Sequence, residues 1–203
     1  MREGGARGRT HFVGLTGGIA AGKSAALAAL RRLGAETLST DAVAHELLNE
    51  PEVREELIER LGPEVVSGGE VDRDEVARAV FERPDERAWL EERLWPLVGL
   101  RVASWREELD RRDPPPALAV VEVPLLFEGG MERVFDATVA VIADESVRAE
   151  RAGDRGHAGL ESRTSRQLDQ AEKAERADFV VRNEGDLAAL ERSLSRLVAR
   201  MRA

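Results

Sequence analysis

Hydrophobic and polar positions alternate along this chain in blocks that predict strands and helices in turn. A short apolar run at 12–15 ends at paired glycines, and a helical pattern follows at 23–33, which we expect Gly34 to end. Residues 36–40 predict a second short strand. Asp41 follows this strand directly, at a position that suits the N-cap of the next helical segment.

The second half of the chain contains the remaining predicted strands. From 51 to 110 the pattern is helical, interrupted only by glycines and prolines, so we predict a helical insertion with no strand. Apolar runs then predict three strands, at 117–123, 137–143 and 178–181. An Arg-rich helical region precedes the last of these strands, and a helix at 186–200 closes the chain. Strands separated by helices predict an α/β fold, a parallel sheet with helices on both faces.

Composition indicates a folded protein and excludes some classes of binding partner and of chemistry. The chain has 203 residues, 42% of them hydrophobic, which suits one domain with a substantial core. Its net charge of −9 argues against a main role in coating nucleic acid or anionic membranes. The absence of cysteine excludes disulfides and thiolate chemistry, and three scattered histidines do not suggest a metal cage.

The N-terminal segment does not resemble a targeting signal. Residues 1–10 are rich in Gly and Arg without periodicity, and we predict a flexible tail. The next stretch is broken by glycines, and no run approaches the roughly 20 apolar residues of a membrane span. We therefore expect a cytoplasmic protein with no membrane partner.

Residues 17–24, GGIAAGKS, match the phosphate-loop motif G-x-x-x-x-G-K-[ST] between a predicted strand and a predicted helix. In such a loop, main-chain N–H groups surround phosphate oxygens, the lysine reaches the outer phosphates and the hydroxyl ligates Mg²⁺. The motif thus predicts ATP contacts through Lys23 and a Mg²⁺ ligand at Ser24. The other predicted ATP contacts in the loop are Gly17, Gly18, Ala20, Ala21, Gly22 and Ala25.

Lysine is rare in this chain, because Lys23 and Lys173 are the two lysines among 30 basic residues. A planar guanidinium does not fit where a compact ammonium must enter a closed loop, so a lysine at position 23 has a functional reason. Lys173 is either a second case of this kind or a residue left by chance.

A phosphate loop does not by itself separate kinases from other nucleotide enzymes. The guanine-specific motifs N-K-x-D and D-x-x-G are absent from the sequence. Kinases of small acceptors need a carboxylate that accepts the hydroxyl proton and arginines that hold the transferring group. Asp41 and the arginines at 148, 151, 155 and 163 supply these groups.

Signature segments from Phe12 nearly to the C-terminus resemble the dephospho-CoA kinase family. The segments are LTGGIAAGKS at 15–24, DAVAHELL at 41–48, GEVDR at 69–73, VF at 80–81, WPLV at 95–98, VPLLFE at 123–128, Gln167, Lys173, AD at 177–178 and N-x-G at 183–185. The resemblance implies ATP-dependent phosphorylation of the ribose 3′-hydroxyl of dephospho-CoA, with Mg²⁺.

The resemblance also implies an architecture and site roles. It implies a P-loop NTPase three-layer α/β/α domain at 11–203, a helical acceptor-binding insertion at about 45–112 and an Arg-rich lid at about 146–176. Lys23 and Ser24 carry over as ligands of ATP and Mg²⁺, Asp41 as the catalytic base, Arg151 and Arg155 as lid cations, and Asn183 and Gly185 as adenine contacts. The acceptor contacts implied are Asp41, His45, Asp72, Arg73, Trp95 and Leu125. We expect a small-molecule substrate, no nucleic-acid partner, and a monomer or weak homo-oligomer.

Departures from the family pattern keep alternatives open. Ser39, His45 and Trp95 stand where the family commonly has Asp, Arg and His, which affects the acceptor region. The alternatives are a kinase for another small hydroxylated metabolite, such as a nucleoside, and a non-catalytic ATP-binding protein. Asp41 is also explained as a simple helix cap, and the three tryptophans as core residues. Glu122 is expected near the metal and Glu128 as a cap or loop anchor.

Overall fold

The computed structural model describes residues 9–81, 83–153 and 167–202. Most of the predicted tail and the centre of the predicted lid, including Arg155 and Arg163, lie outside these ranges. The chain divides into two compact units. The first contains residues up to Ser39 and from Arg106 onward, and the second is Thr40–Trp105.

A five-stranded parallel sheet forms the centre of the first unit, which confirms the predicted fold class. In chain order, the strands within the described residues are β1 (His11–Gly17), β2 (Glu36–Ser39), β3 (Val66–Ser67), β4 (Glu70–Val71), β5 (Leu118–Glu122), β6 (Ala137–Ile142) and β7 (Phe179–Arg182). Of these, β3 and β4 do not belong to the five-stranded sheet. The order across the sheet is β2-β5-β1-β6-β7, so β1 lies in the middle. All five sheet strands occur where the sequence predicts strands.

Eight α-helices lie within the described residues. They are α1 (Lys23–Arg32), α2 (Thr40–Leu48), α3 (Pro51–Leu61), α4 (Arg73–Phe81), α5 (Pro84–Asp110), α6 (Glu145–Gly153), α7 (Gln170–Arg176) and α8 (Leu187–Arg202). Among the described helices, none combines the length and apolar character that crossing a membrane requires.

Both faces of the sheet are buried, as the continuous apolar runs predict. Val13 and Leu15 of β1 pack in one cluster with residues of α1 and α8. Phe12 of β1 and Val121 of β5 point to the other face of the sheet, and both are also buried. Helix α7 packs against β6 and β1. The central strands are thus shielded from water, and their carboxyl ends lead into the loops that form the candidate site.

Gly34 ends α1 as predicted. It has a φ of 84°, and its N–H donates to the Arg31 carbonyl oxygen while the Ala35 N–H donates to that of Leu30. This pair of bonds is a Schellman motif, which satisfies carbonyls that the helix end leaves free. The chain then enters β2 without further helix.

The second unit is mainly helical, but the prediction that it contains no strand is wrong. β3 and β4 form a small antiparallel hairpin whose turn is Gly68–Gly69, and both glycines have positive φ. Two glycines between short β-prone pairs are a recognised hairpin signal that the helical periodicity around them concealed. Asn49 accepts the Val71 N–H at 2.8 Å and so anchors the hairpin to the end of α2.

The prediction that the tryptophans are core residues is wrong. Trp95 on α5 is 47% exposed. Trp89 and Trp105 are half-buried, and the guanidinium of Arg60 lies 5.4 Å from the centre of the Trp89 ring. The buried side of α5 instead carries aliphatic residues, including Leu94, Val98 and Val102.

Candidate active site

The phosphate loop lies between β1, in the middle of the sheet, and the first turn of α1. Two glycines are required by close contacts: a Cβ on Gly17 would clash with the Val141 carbonyl oxygen, and one on Gly22 would clash with Nδ2 of Asn183. Gly22 precedes α1 with a φ of 96°, and Ala20 has a φ of 58°. A loop with left-handed residues next to a helix N-terminus directs main-chain N–H groups to one side, an arrangement that binds anions.

Lys23 begins α1 and folds back over the loop. Its Nζ donates to the carbonyl oxygens of Gly17 and Gly18 at 3.2 and 3.1 Å. Ser24, the next residue, is exposed on the first turn of the helix. The ammonium and the hydroxyl thus lie at the positive end of the helix dipole, where a phosphate is favoured.

A pocket of about 170 Å³ opens beside the loop. Its lining is Gly22, Ala25, Arg151, Asn183, Gly185, Leu187 and Leu190. Cavities of about 150 Å³ admit a benzene ring, so this pocket has room for a flat aromatic ring of similar size. Four of the predicted ATP contacts therefore meet in one place, together with Arg151, which was predicted as a lid cation.

Asn183 joins this pocket to the phosphate loop. Its buried side-chain Nδ2 donates to the Ala21 carbonyl oxygen at 2.8 Å, and its main-chain N–H donates to the Ile142 carbonyl oxygen at 2.8 Å. The residue therefore fixes the end of β7 against the loop, and a base in the pocket would meet its main chain. The apolar side chains of Leu187 and Leu190, which no sequence motif identifies, also line the pocket.

Helix α6 brings two arginines to the same region. Arg148 Nε donates to the Ile19 carbonyl oxygen at 2.9 Å, and Arg151 Nη1 donates to the Asn183 carbonyl oxygen at 3.1 Å. The sequence predicts only that some of the four arginines at 148, 151, 155 and 163 hold the transferring group, because spacing alone does not show which face of the helix meets the loop. Arg148 and Arg151 both lie beside the phosphate loop or the end of β7, whereas Arg155 lies outside the described residues.

The loop after β5 contains an ion pair with Lys173. Glu128 acts as the loop anchor that the sequence predicts, because its Oε1 accepts the Leu168 N–H at 2.8 Å and pairs with Lys173 Nζ at 3.0 Å. Burial lowers the pKa of Lys173, and the nearby Glu128 carboxylate partly opposes this effect. Leu125, a predicted acceptor contact, lies half-buried in the same loop.

The other predicted acceptor contacts lie on the helical unit. Asp41 is exposed in the first turn of α2, and His45 follows one turn later on the same face. The interpretation of Asp41 as the N-cap is wrong, because α2 begins one residue earlier, at Thr40. That leaves its carboxylate outside the helix-capping position.

Asp72, Arg73 and Trp95 occupy two other helices of this unit. Asp72 caps α4, since its Oδ1 accepts the N–H groups of Asp74 and Glu75 at 3.0 and 3.2 Å. Arg73 is exposed at the first residue of α4. Asp72 and Arg73 are thus adjacent at one helix end, while Trp95 projects from α5.

The residues around the loop suit Mg²⁺ held mainly by substrate. Within the described ranges there is no group of three or more His, Asp or Glu side chains that could hold a metal. Mg²⁺ in kinase sites takes one or two protein oxygens and completes its shell with phosphates and water. The Ser24 hydroxyl fits this requirement, and the Glu122 carboxylate lies at the end of β5, paired in register with Leu15.

Comparisons of the whole chain with family models and with curated proteins identify the same family. The family model for dephospho-CoA kinase matches residues 11–189. Dephospho-CoA kinases from Deinococcus radiodurans and Moorella thermoacetica are 40% and 39% identical, each over 90% of this chain and 88% of the relative. A crystal structure of a Thermus thermophilus protein superposes with a TM-score of 0.74 at 37% identity, covering 95% of this chain and 98% of that one.

Proposed function

This chain belongs to the dephospho-CoA kinase family, and from that premise we propose how its own residues carry out the reaction. The enzyme transfers the terminal phosphoryl group of ATP to the ribose 3′-hydroxyl of dephospho-CoA and so forms coenzyme A. The observation that carries the residue assignments is the phosphate loop, with Lys23 across it and a base-sized pocket beside it, all within one compact unit.

The phosphate loop and Lys23 bind the triphosphate. Lys23 donates to two neutral carbonyl oxygens, and a charged phosphate oxygen is a stronger acceptor for an ammonium. Lys23 therefore exchanges these partners for phosphate when ATP binds. Ser24 would hold Mg²⁺, and the ion when bound neutralises charge on the phosphates.

The pocket beside Ala25 holds the adenine. The main chain from Asn183 to Gly185 offers hydrogen-bonding groups to the edge of a base, and Leu187 and Leu190 contact its face. Arg151 lines the same pocket and contacts the phosphate side of the nucleotide. Arg155 assists from the lid.

Asp41 is the general base, and the helical unit binds the acceptor. The exposed carboxylate of Asp41 has no capping role in α2, so it is available to accept the proton of the attacking hydroxyl. His45, Asp72, Arg73, Trp95 and Leu125 contact the acceptor. The enzyme works in the cytoplasm as a monomer or weak homo-oligomer.

A direct assay tests this function. Purified protein is mixed with Mg²⁺, ATP and dephospho-CoA, and the product is identified by phosphorus NMR with nucleosides as competing acceptors. We expect a 3′-phosphorylated product and no phosphorylated nucleoside. The matched control is Lys23→Met, which should fold normally and lose activity. Tight ATP binding without transfer to dephospho-CoA would refute the assignment.

A further inference from the structure

Lys173 on α7 is fully buried and has two oxygen partners. Its Nζ donates to the Pro124 carbonyl oxygen at 2.6 Å and pairs with Glu128 Oε1 at 3.0 Å, while the side chain is 0% exposed. Burying an ammonium is costly unless it is paired and hydrogen-bonded, and both conditions hold here. The sequence left open whether this lysine occurs by chance, and its environment argues that it does not.

The Pro124 carbonyl connects Lys173 to the strand that leads into the phosphate loop. The same oxygen accepts a hydrogen bond from the Thr16 hydroxyl, with Oγ1 at 3.3 Å. Thr16 immediately precedes Gly17, and its neighbour Leu15 accepts the Val123 N–H at 2.8 Å. The ammonium and the end of β1 therefore share one main-chain acceptor.

Glu128 and Gln170 hold the start of α7, the helix that carries Lys173, against neighbouring segments. Glu128 Oε1 also accepts the Leu168 N–H. The Gln170 side chain accepts the Ala143 N–H at 3.2 Å and donates to the Ala143 carbonyl oxygen at 2.8 Å. A Cβ on Gly18 would lie only 3.3 Å from Gln170 Cβ, so the start of α7 lies close to the phosphate loop.

We propose that Lys173 is a positioning residue for phosphoryl transfer: it holds the Pro124–Glu128 segment and, through the shared carbonyl, fixes Thr16 and the start of the phosphate loop. This inference rests on the proposed function, in which that loop binds the phosphates of ATP. Lys173 itself does not touch the nucleotide. A compact ammonium suits two oxygens at 2.6 and 3.0 Å in a closed space, which accounts for lysine in a chain where arginine supplies nearly all other basic residues.

The first test compares Lys173→Met with Thr16→Val. Hydrogen bonds to charged groups contribute more than neutral ones, so we expect kcat/KM for ATP to fall about 10- to 100-fold in the first variant and about fivefold in the second. KM for dephospho-CoA should stay near its original value in Thr16→Val, which leaves the contacts of Lys173 with Pro124 and Glu128 in place. Because both changes act through the Pro124 carbonyl, the combined variant should lose little more than Lys173→Met alone.

Thr138→Val is the matched control for Thr16→Val. Thr138 is a buried threonine in the neighbouring strand β6, and its hydroxyl donates to Asp178 Oδ2 at 2.8 Å, nearer the amino end of the sheet. This variant should lose stability without a change in the ATP kinetics. Unchanged kcat/KM for ATP in Thr16→Val, or fully additive losses in the combined variant, would overturn the proposal.

A second test separates positioning from simple stabilisation. Removing one partner of a buried ion pair is destabilising, whereas removing both charges is often tolerated, so adding Glu128→Gln to Lys173→Met should raise the melting temperature. The ATP defect should remain, since Pro124 still lacks its ammonium. Recovery of stability and ATP kinetics together would overturn the proposal, and so would full activity in Lys173→Arg.

Direct titration with ATP keeps this test independent of the transfer reaction. If the unmodified protein binds ATP but does not phosphorylate dephospho-CoA, the proposed function fails, while the ratio of dissociation constants between it and Thr16→Val still measures positioning. If the unmodified protein is active and Thr16→Val binds and turns over ATP equally well, only the positioning proposal fails. The isosteric Thr16→Val change also provides a test should Lys173→Met not fold.

Discussion

Three cationic side chains around the phosphate loop share one kind of partner. Lys23, Arg148 and Arg151 each donate to main-chain carbonyl oxygens, those of Gly17 and Gly18, of Ile19, and of Asn183. These hydrogen bonds hold the three side chains in place around the loop. Three ordered cationic groups thus lie together in a protein whose net charge is −9.

The role of Asp41 is tested by Asp41→Asn. We expect kcat to fall about 10²- to 10⁴-fold, because the amide cannot accept the hydroxyl proton, while ATP affinity changes little. Steady-state kinetics and ATP titration give the two quantities. Glu46→Gln, which removes another exposed carboxylate on α2, is the control and should keep kcat. Equal losses of kcat and ATP affinity in Asp41→Asn would argue for a structural role.

The buried ammonium of Lys173 predicts a pH dependence of stability. Burial lowers its pKa in the folded protein below the ordinary value of 10.5, against the opposing effect of Glu128. Between the lowered pKa and 10.5 the unfolded chain binds more protons, so the free energy of unfolding rises with pH through this window. Below it, the full cost of the buried charge remains.

This dependence is measured by urea unfolding at a series of pH values up to 10.5, with Lys173→Met as the reference. The native protein should gain stability relative to the variant as the pH rises toward that value. A difference that stays constant or shrinks would contradict the assigned direction of the pKa.

At the level of elements, the site is built from the carboxyl ends of parallel strands. β1 leads into the phosphate loop, β5 into the Pro124–Glu128 segment, and β7 into Asn183. In a parallel sheet these ends lie on one edge, so segments far apart in sequence meet there. Helix α7 adds a capping box, in which Asp169 and Glu172 each accept the other's main-chain N–H, so the element that carries Lys173 has a fixed start.

The junction between β1 and the loop predicts a large effect of Gly17→Ala. A Cβ there would meet the Val141 backbone, which cannot move without disturbing β6, so we expect a loss of more than about 2 kcal/mol in unfolding free energy. Gly99→Ala within α5 is the control. A Cβ at Gly99 meets nothing within 4 Å, and alanine should stabilise the helix by about 0.5–1 kcal/mol. Chemical denaturation of both variants checks the opposite signs.

At the level of the whole molecule, most of the predicted nucleotide contacts and most of the predicted acceptor contacts lie in different compact units. The first unit holds the sheet, the phosphate loop and the base pocket. The helical unit Thr40–Trp105 holds Asp41 and most of the predicted acceptor contacts. Ion pairs inside it, such as Arg93 with Glu56 at 2.5 Å, hold its helices together, and the same interaction lowers the pKa of Glu56.

Binding of ATP should raise the stability of the native protein. At a ligand concentration about 100 times the dissociation constant, binding adds about 2.7 kcal/mol. For a protein of this size that corresponds to a rise in melting temperature of roughly 5 to 10 °C. Thermal unfolding with and without Mg·ATP measures the shift, and Lys23→Met should lose most of it. An unchanged melting temperature in the native protein would contradict nucleotide binding.

The sequence by itself determined the parallel α/β fold, the five sheet strands and the phosphate loop, because each depends on local periodicity or on a contiguous motif. It did not determine the burial of Lys173, the contact of Asn183 with Ala21 or the exposure of Trp95. Asn183 and Ala21 are separated by 162 positions, and only the strand order β5-β1-β6-β7 brings such residues to one edge. Tertiary packing decided these features because burial and long-range hydrogen bonds depend on which elements become neighbours, and local sequence pattern carries no record of that.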